Sequence, residues 1–150
     1  MQKVDLKKQL GHLYNPSTKE VSVVDVPPTN FLMIDGEGNP NTSREYRDAL
    51  EALYAVSYAL KFMLKKGQGI DYPVMALEGL WWTEDMAKFS LENKDAWKWT
   101  AMIMQPGFIT EEMVGEAKGQ VEKKKGPLCR ASRGCVWSPS TKARLPRSCT

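Results

Sequence analysis

The residues best suited to chemistry lie in one short stretch. Glu78 stands three positions before the pair Trp81-Trp82, and Trp97 and Trp99 follow, so four of the five tryptophans fall between 81 and 99. Clustered indoles form flat apolar walls with a single polar tip, suited to planar ligands and to cations. A carboxyl group set against such a wall loses solvation of its charged form, so its pKa rises and it can donate a proton or hold a cation. Glu78 is therefore the candidate acid. Glu84 and Asp85 follow the Trp pair and Glu37 sits in a Gly-Glu-Gly turn; for all of these acids a solvated surface position is the alternative.

Adjacent strand residues face opposite ways, so Trp81 and Trp82 cannot line one groove, whereas Trp97 and Trp99 face together. The expected wall is Trp82 with at least one of Trp97 and Trp99. Eight methionines, among them Met33 and Met75, add flexible thioethers that let a pocket adapt to several ligands, with core filling as the plainer role. Tyr54 and Tyr58 stand four apart on a helical pattern, away from its leucine stripe, and would place hydroxyls at a groove edge or widen the buried face.

Other chemistries find no support. Gly36-Glu-Gly38 lacks the third glycine of a dinucleotide fingerprint, and there is no phosphate-binding loop, no G-x-S-x-G and no H-E-x-x-H. His12 is the single histidine, and the three cysteines (Cys129, Cys135, Cys149) have irregular spacing, so neither a metal site nor a bound cofactor is expected. The formal charge of +3 divides unevenly: residues 126–150 hold Arg130, Arg133, Lys142, Arg144 and Arg147 and no acid, leaving 16 bases against 18 acids before them. A slightly acidic body argues against direct nucleic-acid binding. Apolar runs such as Leu53–Leu60 fall far short of the about 18 residues of a membrane span, and no signal peptide is read at the N-terminus, so a cytoplasmic location without membrane contact is expected.

The elements that must position these groups follow from periodicity. Val21–Val26 and Phe31–Ile34 read as strands interrupted by Pro27-Pro28, with a turn at 35–40. Thr42-Ser-Arg-Glu45 fits a capping box, and Tyr46, Leu50, Leu53, Ser57, Leu60 and Leu64 then recur at helical spacing, predicting a helix over about 43–66 with Gly67 as its cap. Val74–Trp82 and Trp97–Met104 read as two antiparallel strands around an excursion with its own helical turn, and Ile109–Lys125 as a second helix. This order predicts an α+β fold, helices on one face of a mostly antiparallel sheet. After residue 125 no periodicity remains.

With that order established, Lys19–Pro28, Phe31–Gly38, Leu-Glu-Gly-Leu-Trp-Trp at 77–82 and Trp-Lys-Trp-Thr at 97–100 resemble the GyrI-like small-molecule-binding family, specifically its stand-alone members. The resemblance covers roughly residues 1–125. It implies two tandem strand-helix-strand-strand modules, akin to the effector-binding domain of multidrug-sensing transcription activators, whose helices frame a ligand groove. This chain carries the first module and the opening helix of the second; the glutamate that meets cationic ligands in such domains belongs to the part it lacks. Residues 126–150 read as a non-homologous, disordered tail from a frameshift near codon 126. The implied function is binding of apolar or cationic aromatic small molecules in a groove walled by Trp and Met, with self-association through an exposed sheet edge. The alternatives are a hydrolase of strained cyclopropane-bearing toxins, with Glu78 as acid, and a protein-interaction module.

Overall fold

A computed structural model describes residues 1–15, 17–21, 23, 29–125 and 136–139. The expected strand over 21–26 lies largely outside the described residues. In chain order the elements are β1 (Gln2–Lys3), α1 (Leu6–Gln9), α2 (Gly11–Tyr14), β2 (Asn30–Glu37), α3 (Arg44–Gly67), β3 (Ile70–Asp71), β4 (Leu77–Trp82), β5 (Lys98–Gln105), α4 (Glu111–Lys125) and β6 (Val136–Pro139). The architecture is α+β, as the periodicity predicts. Four antiparallel strands form one sheet in the order β4-β5-β2-β6, and β1 and β3 make a separate parallel pair.

Helix α3 is the organising element. Ser43, one residue later than expected, is its N-cap: its hydroxyl accepts from the Tyr46 amide at 3.2 Å. Ala49, Leu53, Val56, Leu60 and Leu64 form the buried stripe, which meets Leu32 and Ile34 of β2 and Trp99, Ala101 and Ile103 of β5 in one apolar core. The helix runs through Gly67 rather than ending before it; the Gln68 amide closes the last turn on the Leu64 carbonyl at 2.9 Å, and the left-handed residue is Gly69, at φ +66°. Helix α4 packs along α3 through Val114, Ala117 and Val121.

Three further differences have local causes. Strand β2 continues past the expected turn to Glu37, because Asp35, Gly36 and Glu37 pair with Thr100, Trp99 and Lys98; the chain turns only at Gly38, where φ is +117°. The excursion after Trp82 holds two short 3-10 turns, Met86–Lys88 and Lys94–Ala96, rather than one helical turn. The tail is not without regular structure, since Val136–Pro139 pair antiparallel with Asn30–Met33 along the outer edge of β2. Among the described residues no helix is long and apolar enough to cross a membrane.

Candidate functional site

The strand register sorts the candidate residues onto different surfaces. Trp81 lies directly opposite Trp99, so both face α3 together with Gly79, Ala101 and Ile103. Trp99 is fully buried, with the ring of Tyr46 meeting it edge-on at 5.0 Å and 82°. These two indoles are packing elements; among the described residues neither Nε1 finds an acceptor. Trp97 is also buried, but elsewhere: it stacks on Phe89 at 5.0 Å and 15°, its Nε1 donates to the Ser90 carbonyl at 2.9 Å, and Lys94 Nζ stands 5.6 Å from the ring. It pins the excursion to the sheet. Trp82 alternates to the opposite face, so the expected wall of Trp82 with Trp97 or Trp99 does not form. Met75, 1% exposed, is core rather than pocket.

The face away from α3 carries Glu78 and Trp82 from β4, Thr100 and Met102 from β5, and Met33 and Asp35 from β2. Glu78, Met102 and Met33 stand in one row across three strands, and Thr100 donates to the Asp35 carboxylate. The half-buried Glu78 carboxyl is pushed above its ordinary pKa because its charged form is poorly solvated. Tyr14, arriving from α2, donates to the Met104 sulfur at 3.5 Å; burial first, and then the charge of Glu78, raise its phenol to about 12. Glu84 has the opposite environment. Lys98 Nζ donates to its carboxylate at 2.7 Å and holds its pKa below the ordinary value. Environment thus separates two carboxyl groups of the Trp-rich region into one that keeps its proton longer and one that gives it up sooner.

An open concavity lies on the other side of α3, in a groove of about 550 Å³ between α3 and α4. Tyr58 and Phe62 stack along one wall, centroids 6.4 Å apart at 27°, and stay 47% and 49% exposed. Ala55, Ala59, Met63 and Val121 also line it, and Lys66, Gln120 and Lys124 bring the polar groups. Of the residues singled out from sequence, Tyr58 lines this groove, together with Met63 from the set of eight methionines; Tyr54 is exposed one turn earlier on α3. Phe62 was missed although it extends the same four-residue spacing as Tyr54 and Tyr58. Tyr14 carried no such signal, because only the folded chain brings residue 14 toward residue 78.

No family model matches the chain, and no curated protein matches it. Solved structures do. A crystal structure of an uncharacterized conserved protein from Listeria innocua is similar at 36% identity with a TM-score of 0.81, covering 91% of this chain and 66% of that one. Two Listeria innocua hydrolases are similar at 38% and 35% identity, with TM-scores of 0.79 and 0.75; the matches cover 92% and 91% of this chain and 66% and 67% of theirs. The chain thus spans about two thirds of the length of the solved structures it matches. With 35% identity over 67% of the second hydrolase, this protein belongs to the same family as that Listeria innocua chain.

Proposed function

We propose that the protein is a GyrI-like small-molecule-binding protein that takes apolar aromatic molecules into the groove between α3 and α4. The observation that carries this reading is the stacked Tyr58–Phe62 pair, left about half exposed on a helix whose stripe of Leu53, Val56, Leu60 and Leu64 is buried. Two aromatic rings held in water beside a concave apolar floor cost solvation that a flat aromatic ligand recovers. The volume lies within the roughly 300–1,000 Å³ of small-molecule sites, and Met63 adds an adaptable wall. The cation-binding part of the expectation has less support here, because no carboxylate lines the groove among the described residues.

The test is a titration of the full chain with the neutral probe 2-naphthylmethanol, followed by calorimetry and by amide chemical shifts. Saturable binding that moves α3 and α4 resonances, and that weakens about tenfold in Phe62→Ala, is expected for the loss of one stacked ring of ligand contact. Absence of saturable binding both by this probe and by its carboxylate counterpart, 2-naphthoate, overturns the reading.

A second reading, hydrolysis, is favoured by the Glu78 carboxyl on the opposite sheet face and by the two similar Listeria innocua hydrolases. In it Glu78 donates a proton to the departing atom of a bound electrophile, water adds to the electrophilic carbon and its released proton restores the carboxyl, with Met102 and Met33 of the same row as the neighbouring apolar surface. Glu78→Gln would abolish turnover and leave binding in place; a variant with full turnover removes Glu78 from that role.

A further inference from the structure

We infer that the α3–α4 groove selects an organic anion, an aromatic carboxylate whose ring lies beside Tyr58 and Phe62 and whose charge is met by Lys66 and Lys124. This rests on the reading of the groove as a ligand site and adds the charge of what it takes.

The argument begins with which lysines are already committed. Near the end of α3, Lys61 and Lys65 both face Asp71, at 3.0 and 3.9 Å. Lys66 points the other way, into the groove, and Lys124 reaches the same groove from the last turn of α4. Among the described residues neither makes an ion pair, and the 25 residues after Lys125 contain no acid. A lysine in a last helical turn suits the helix dipole, which explains its presence there but not its direction. Two ammonium groups from different helices at one apolar groove attract an anion and repel an amine.

The floor sets the rest of the ligand. Ala55 and Ala59 bring only methyl groups to the α3 wall beside the two rings, and Met63 adds a polarizable thioether. Gln120 supplies an amide able to donate to a carboxylate oxygen. A ring with a carboxylate at one end satisfies both halves of this surface. A neutral hydrocarbon would leave the lysines unused, and an aromatic amine would set a third positive charge among them.

The experiment uses three probes of the same shape on the full chain at low salt: 2-naphthoate, 2-naphthylmethanol and 2-naphthylmethylamine. The expected order is naphthoate tightest, about tenfold over the alcohol from two solvent-exposed charge contacts, with the amine weakest. Lys66→Gln with Lys124→Gln should level the three, and added salt should narrow the gap. Phe62→Ala should weaken all three alike. If the alcohol binds as tightly as naphthoate, or the amine more tightly, the anion assignment is overturned while the groove remains a ligand site. If none of the three binds, both readings fall. If naphthoate binds with unchanged affinity in both the lysine and phenylalanine variants, its site is elsewhere and the inference is overturned. Both lysines and Phe62 are exposed, so a fold control by circular dichroism should show all variants intact.

Discussion

The indole of Trp99 occupies the space where Gly36 would carry a side chain. A Cβ built on Gly36 would lie 2.0 Å from Cζ2 of that ring, and Trp99, fully buried beneath Tyr46, has no room to withdraw. Gly79 bears the same relation to Trp81, with 2.4 Å to Cη2. Glycine on a strand here serves close approach rather than unusual backbone angles. The two large indoles lie flat against the sheet because the strands beneath them are bare.

Gly36→Ala should therefore destabilise the protein by about 3 kcal/mol, the upper range for overpacking a filled core. Chemical denaturation measures it. In a Trp99→Leu background the added methyl meets a smaller neighbour, so the penalty should shrink to well under half. Equal penalties in both backgrounds would show that the ring is not the obstacle.

Glu78 links stability to pH in a defined direction. Its folded pKa lies above the unfolded value of about 4.3, so the favourable contribution of the neutral form is complete below that value and is lost as pH rises through the folded pKa. Glu78→Gln, which stays neutral, should gain stability relative to the parent as pH rises from 4 to 7. The difference between the two unfolding curves at each pH is the quantity to plot, and a flat difference would contradict the shift.

Asp71 has the opposite sign. Its hydrogen bond from Lys61, with further help from Lys65, holds its pKa below the ordinary value, so its contribution is present above about pH 4 and lost as pH falls through the lowered pKa. Asp71→Asn should remove that acid-side dependence. Lys61 Nζ also donates to the carbonyl of the buried Tyr72 at 2.6 Å. Lys61→Met leaves this oxygen unpaired and should cost about 1–3 kcal/mol at neutral pH, more than Lys65→Met does.

Inside the core, Gln105 Nε2 donates to Ser57 Oγ at 3.2 Å, joining β5 to α3. Ser57→Ala strands part of the amide and should cost about 1 kcal/mol, whereas Ser57→Ala with Gln105→Leu should recover most of it. A double-mutant cycle by thermal unfolding measures the coupling; additive losses would mean that the two groups act separately.

Much of the scaffold was readable along the chain because it depends on neighbours three or four residues apart. The recurrence from Tyr46 to Leu64 marked α3 to within a residue at each end, and the runs of β-branched and aromatic residues marked β4 and β5. The short N-terminal elements and β3 were not marked. β1 and β3 are two residues each, and they pair with one another across more than sixty residues of chain. Strand β6 lies in a segment with no alternation, and its position comes from the backbone edge of β2 rather than from its own pattern.

The candidate site divides along the same line. The periodicity along the chain was enough for an α+β scaffold with a Trp-rich hairpin, for Trp81 and Trp82 facing apart, and for Glu78 as a carboxyl on the first strand of that hairpin. Which partner each indole meets depends on contacts far apart along the chain. Register is a long-range property: placing Trp81 opposite Trp99 sent both under α3 and left Trp82 and Glu78 on the other face. The open groove was decided by the packing of α4 along α3, which leaves Tyr58, Phe62, Lys66 and Lys124 around one concavity. Burial at a helix is set by what packs against it, and no spacing within α3 alone records where α4 will lie.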